Sequence, residues 1–240
     1  MTKSQAVATV RNYVPEPVMA AIRPLRRFFY RAQFTARYGF RPPPELTGGE
    51  GYEAVIDFIQ GMHTLDLPGD VVEVGAFCGG GTYKLARFLS RNAAGKKVYV
   101  IDCFSIDHDN TECTAGARMS DLYAGYLRGR SQKEVFDCVT RGLHNIEIIP
   151  KDSKLAVIPA EVICFAYVDG NHAPAYVRND FSLVWSKLTP GGVVAFHDYG
   201  YDLPQVTATL DELCAQHREE ISRRSVHKKR HILFIQKRST

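Results

Sequence analysis

The stretch Val71-Val72-Glu73-Val74-Gly75-Ala76-Phe77-Cys78-Gly79-Gly80-Gly81-Thr82 decides how the rest of this chain is read. Its β-branched opening predicts a buried strand, its glycines predict a tight turn, and an apolar helix follows from about Tyr83. Glycine has no side chain and tolerates unusual dihedrals, so such a turn lets a ligand approach the backbone closely. In open α/β sheets, ligands sit at the carboxyl ends of strands where the strand order reverses.

Outward from that unit, short apolar runs alternate with longer helical stretches, the pattern of a parallel sheet covered on both faces. Strands are predicted at Val71–Val74, Val98–Ile101, Glu147–Ile149, Cys164–Val168 and Val193–Phe196, with a helix over Tyr52–Met62. A second helix, Ala175–Leu188, carries Val177, Phe181, Val184, Trp185 and Leu188 on one stripe, and Pro190-Gly191-Gly192 is read as its stop. Ser222–Val226, a basic turn at 227–230 and His231–Gln236 predict a closing antiparallel pair. The expected fold is α/β, doubly wound, with a mostly parallel seven-stranded sheet, a C-terminal antiparallel hairpin and an N-terminal helical appendage.

The 240 residues, 45% of them hydrophobic, suffice for one full core, so the expected organisation is an appendage over 1–45 and a catalytic domain over 46–240. Apolar stretches fall short of the ~20 residues that cross a bilayer, and no secretory leader is seen, so a cytoplasmic location is expected. Cysteines 78, 103, 113, 138, 164 and 214 form no C-x-x-C pair or zinc pattern and are expected to be reduced thiols. A net charge of +4 is too mild to argue for nucleic acid. Residues 1–41 nonetheless hold eight Lys or Arg against one Glu, which leaves −3 for the remainder. Within them Leu25, Phe28, Phe29 and Ala32 fall at helical spacing, with Arg23, Arg27 and Arg31 on another face, Pro24 in the expected first turn and Gly39 at the end. A helix capping the domain or touching a second copy in a homo-oligomer is favoured over weak contact with a membrane surface, and a lid over the substrate is a third use.

Polar residues mark the other strand ends. Gly75 followed by Gly79 departs from the G-x-G-x-x-G of dinucleotide sites, and the Glu73 carboxylate would repel a pyrophosphate while suiting a cationic amino-acid cofactor. Asp102 ends the second strand, where a carboxylate can accept two ribose hydroxyls, and Asp152-Ser153 follows the third, within reach of an adenine amino group. Glu73-Val74-Gly75-Ala76-Phe77-Cys78-Gly79 resembles the first motif of catechol O-methyltransferase-like enzymes, class I S-adenosylmethionine-dependent methyltransferases of Rossmann-like fold. The resemblance implies S-adenosyl-L-methionine held by Glu73, Gly75, Phe77, Gly79, Gly81, Thr82, Asp102, Cys103, Asp152, Ser153 and Asp169.

The fourth strand runs into Val168-Asp169-Gly170-Asn171-His172 and the fifth into Phe196-His197-Asp198-Tyr199. Neighbouring strand ends lie side by side, so Asp169 and Asp198 can converge into a hard-cation site, with magnesium the expected ion. In the related O-methyltransferases an acid and an Asp-Asn pair ligate the metal and a lysine three residues after the first acid is the base. Here Tyr199 stands for the Asn, as a candidate ligand, and His172 for the Lys, as a base suited to neutral pH. His197 is a secondary catalytic candidate. The Asp-Gly-x-His and His-Asp-Tyr pattern resembles macrolide-sugar and other natural-product O-methyltransferases more than catechol enzymes, which implies a small hydroxylated acceptor such as a sugar, polyketide or phenol. The polar loop from Ser105 to Glu112 is a candidate wall of the acceptor pocket, its Asp107-His108-Asp109 being read as solvated. Alternatives are N- or C-methylation on the same fold, a NAD-dependent oxidoreductase, and a non-catalytic membrane-surface protein.

Overall fold

The computed structural model describes residues 16–43 and 51–239. The chain divides into two compact units, Met1–Pro42 and Pro43–Thr240. The described part of the first is a helix, α1 (Glu16–Tyr38). In the second, the elements are α2 (Tyr52–Gly61), β1 (Asp70–Val74), α3 (Gly80–Asn92), β2 (Val98–Ile101), α4 (Met119–Leu127), α5 (Gln132–Thr140) and β3 (Ile146–Ile149). They continue with β4 (Ile163–Val168), α6 (Pro174–Trp185), β5 (Leu188–Phe196), α7 (Pro204–Gln216), β6 (Ile221–His227) and β7 (Ile232–Lys237).

The strands form one sheet in the order β3-β2-β1-β4-β5-β7-β6. β1 pairs in parallel with both β2 and β4, and β7 is antiparallel to β5 and β6. The chain therefore winds outward from β1 through β3 and returns to its other side with β4, putting the reversal between β1 and β4. Every residue of β2 and β4 is buried. That explains their continuous apolar runs: a strand covered on both faces has no solvent side to alternate with.

Period-two alternation sends Val72 and Val74 to one face of the sheet and Glu73 to the other. The first face packs against Val177, Phe181 and Val184 of α6 and Val206, Leu210 and Leu213 of α7. On the second, the Tyr52 ring of α2 meets Tyr167 at 4.6 Å, and Phe58 stacks on Phe234 at 3.8 Å. Fully burying one such side chain contributes about 1.5–3 kcal/mol.

Two local expectations are corrected. Pro190-Gly191-Gly192 does not stop a helix; α6 already ends at Trp185, and these residues lie inside β5. The pairing with β4 steps from Ile163 opposite Leu188 to Phe165 opposite Val193, so they form an irregularity in the strand, with Gly191 at φ 79°. Pro24 lies well inside α1 rather than in its first turn; its ring is compatible with helical φ and removes one backbone bond. The stripe Leu25, Phe28, Phe29 is exposed, while Phe34 and Tyr38, on the other side of the helix, are buried.

Candidate active site

At the reversal point Gly75 has φ 82°, and a Cβ there would overlap the carbonyl of Asp169. Asp169 N in turn donates to Val74 O at 2.8 Å. The ends of β1 and β4 are thus locked together by a close approach that only glycine permits. They open into a cleft of about 570 Å³, counted out to solvent, whose walls include Gly75, Phe77, Asp102, Cys103, Asp152, Ser153 and Asp169. Those seven expected cofactor residues do come together around one space.

Asp102 is also the tie that shapes the glycine turn. Its Oδ2 accepts from Ala76 N at 2.8 Å and Phe77 N at 3.0 Å, and its Oδ1 from Phe104 N at 2.7 Å, with Gln132 Nε2 3.2 Å away. Burial pushes its carboxyl up, and these donors oppose that shift. Asp152 caps the turn after β3, accepting from Lys154 N at 2.8 Å and from the Tyr176 hydroxyl at 2.7 Å. Burial would raise its carboxyl, yet these bonds hold it below its ordinary value.

The other four expected cofactor residues have scaffold roles. The Glu73 carboxylate, fully buried, accepts from the hydroxyls of Tyr52 and Thr82 on the face covered by α2 and α3. Burial pushes it up to about 7, against the opposing effect of the two hydroxyls. A Cβ at Gly81 would overlap the Tyr52 ring, and one at Gly79 would come 2.9 Å from Phe136. These residues build the wall behind the turn, and the expectation that Glu73 points into the cleft is corrected by the alternation of β1.

Beside the cleft, the ends of β4 and β5 bring Asp169, His172, His197 and Asp198 together. His172 Nε2 lies 2.9 Å from Asp198 Oδ2 and 3.9 Å from Asp169 Oδ1, without a hydrogen-bond partner of proper alignment. His197 Nδ1 lies 3.3 Å from Asp169 Oδ1 and 3.2 Å from Asp198 Oδ1. Burial would lower both imidazoles, but the carboxylates outweigh it, pushing His172 up to about 10 and His197 to about 11. The same contacts outweigh the upward pull of burial on Asp198 and hold it below the usual carboxylate range.

The donor atoms of Asp169, His172 and Asp198 lie within 4.8 Å of one another, close enough to share a cation. His172 Nδ1 stands 2.6 Å from Asp109 Oδ2, and a proton on Nδ1 leaves a lone pair on Nε2. A lone pair facing two carboxylates is repelled unless a proton or a cation stands between them. The proton is there in the imidazolium that these carboxylates favour, and a divalent ion that displaced it would meet two carboxylate oxygens and an imidazole nitrogen, a donor set that fits it.

The family model described as "Methyltransferase domain" matches residues 72–199, slightly more than half of the chain. This chain belongs to that methyltransferase family. It is a class I S-adenosylmethionine-dependent methyltransferase by fold and motif. Similar folds include the O-methyltransferase NovP, with a TM-score of 0.61 and 17% identity over 79% of each chain. Another is the calicheamicin methyltransferase CalS11, with a TM-score of 0.57 and 17% identity over 97% of this chain and 90% of that one. No curated protein matches the sequence.

In this methyltransferase Tyr199 does not join the acidic cluster. Asp198 has φ 58°, which turns the chain, and the Tyr199 hydroxyl lies 2.8 Å from Asp211 Oδ1 and 3.2 Å from Arg224. Its place as a candidate ligand is thereby corrected. His172 differs from the expected base too, since Nδ1 faces Asp109 and Nε2 faces Asp198. Asp109, read from sequence as a solvated loop residue, is buried, and His172 outweighs the effect of burial to lower its carboxyl. Two further residues of the cleft escaped the sequence reading. Gln132 starts α5 and donates to Phe77 O at 3.2 Å. Tyr123 of α4 sets its ring 5.2 Å from Phe77, and burial, then Asp169 and Asp109, raise its hydroxyl well above normal. Only the i,i+4 pattern of α4 hints at Tyr123; neither residue belongs to a motif.

Proposed function

We propose that this protein transfers a methyl group from S-adenosylmethionine to a hydroxyl of a small molecule, with a divalent cation held by Asp169, His172 and Asp198. The observation that carries the reading is the convergence of two carboxylates and an imidazole nitrogen without an aligned partner at the rim of the cleft. NovP and CalS11, described as an O-methyltransferase and a calicheamicin methyltransferase, support a small-molecule acceptor through their fold.

Bound S-adenosylmethionine supplies an electrophilic methyl on a sulfonium. A cation in the cluster would supply acidification and orientation of the acceptor hydroxyl. Magnesium fits the two carboxylates, and the imidazole nitrogen broadens the choice to manganese. Around these, the chain positions and removes protons. Gly75 and the backbone tied by Asp102 leave room for the nucleoside, Asp102 and Asp152 front its ribose and adenine, and Phe77 with Tyr123 offers an aromatic wall. Asp109 fixes the His172 ring so that Nε2 faces the cluster. With Asp169 and Asp198 neutralised by a cation, His197 would lose the charges that hold its proton and become the proton acceptor, a quarter of its side chain being open whereas His172 is nearly enclosed. Forming the bond from acceptor oxygen to methyl carbon would break the carbon–sulfur bond and release S-adenosylhomocysteine, and His197 would take the hydroxyl proton.

The test separates holding from proton transfer. With hydroxylated sugars and phenols as acceptors and manganese or magnesium supplied, His172→Asn should weaken the metal activation constant. His197→Asn should lower kcat by roughly a hundredfold or more at saturating metal. Methyl transfer that is unaffected by a chelator, or unchanged in both variants, would refute the metal-assisted reading.

A further inference from the structure

Residues 25–29 of α1 present an apolar strip that is more than half open among the described residues: Leu25, Phe28 and Phe29 are 56%, 65% and 54% exposed. Helical spacing sets them, with Ala32, along one side, while the buried Phe34 and Tyr38 occupy another. The two phenylalanine rings meet edge to face at 5.9 Å, forming a single aromatic ridge. Around it stand Arg26, Arg27 and Arg31, all exposed, and no acidic residue occurs anywhere from position 17 to position 44.

We infer that this face of α1 is a docking surface for an anionic lipid membrane. A helix with large apolar side chains on one face and arginines on the others lies in the plane of a bilayer interface, its rings among the acyl boundary and its guanidiniums at the headgroups. Charge decides the occupant. Pairing two copies through this ridge would bring together two helices of strong positive charge, whereas an anionic surface neutralises each arginine. Among the described residues no helix is long and apolar enough to cross a membrane, so the contact is peripheral.

The test is co-sedimentation of the full-length protein with vesicles of phosphatidylcholine alone and with a third of the lipid replaced by phosphatidylglycerol. Binding is expected to the anionic vesicles and to fall steeply with salt. Phe28→Glu with Phe29→Glu should abolish it, and Arg26→Gln, Arg27→Gln and Arg31→Gln together should weaken it roughly a hundredfold. Because all five positions are exposed, circular dichroism should be unchanged. Equal binding to both vesicle types, no binding, or binding indifferent to these substitutions would overturn the inference. So would a dimer in solution that the Phe28→Glu, Phe29→Glu variant dissociates while vesicles stay unbound.

Discussion

His172 Nδ1 and Asp109 Oδ2 lie 2.6 Å apart, joining the loop after β2 to the end of β4 across 63 residues. Both side chains are almost enclosed, at 6% and 7% exposure, so the contact is shielded from water and fixes the imidazole ring. Asp109→Asn should keep the shape of the loop but weaken the hold on the ring. Metal affinity, read as the manganese activation constant, is expected to fall about 10–100-fold, with S-adenosylhomocysteine affinity unchanged. Equal metal constants in the two proteins would remove Asp109 from the site.

The Tyr199 hydroxyl belongs to the Asp211–Arg224 ion pair, whose members lie 2.7 Å apart at the surface. Tyr199→Phe should therefore leave kcat and metal dependence intact and cost about 1 kcal/mol or less of stability, measured by urea denaturation. A loss of metal activation in this variant would return Tyr199 to the site.

Glu73 makes stability depend on pH. Its carboxyl titrates near 7 in the folded chain against 4.5 ordinarily. The folded state therefore keeps a proton that the unfolded state releases between these values. The contribution is fully present below about pH 4.5 and is lost as pH rises through 7, by on the order of 3 kcal/mol. Glu73→Gln should lack this component, so its stability relative to wild type should increase from pH 5 to pH 8. A difference independent of pH would contradict the buried acid.

Glycines 75 and 125 should respond oppositely to alanine. Gly75→Ala forces a Cβ into the Asp169 carbonyl at positive φ, and should cost roughly 3 kcal/mol or more while disrupting cofactor binding. Gly125 sits inside α4 with nothing within 4 Å of a Cβ, and Gly125→Ala should add about 0.5–1 kcal/mol. Thermal unfolding of both variants checks the pair.

Much of this architecture was legible because it is written locally. The five parallel strands are short β-branched or apolar runs bounded by turns, and the acids and histidines at the ends of β4 and β5 converge because adjacent parallel strands end side by side. Asp109 was not legible: its partner is set by a loop path with no periodicity. A place one short of a strand end does not put Glu73 in the cleft, because alternation turns it to the opposite face of the sheet. The apolar side of α1 is legible in the spacing of Leu25, Phe28 and Phe29, but its occupant is not. An apolar stripe states that something covers it, not what.

The most direct test of the central claim is calorimetric titration of the full-length protein with S-adenosylhomocysteine, with NAD as comparison and with manganese present and absent. One site per chain is expected for S-adenosylhomocysteine and none for NAD, with that site retained in Asp198→Asn, which loses only its metal response. Binding of NAD, or failure to bind S-adenosylhomocysteine under either condition, would contradict it.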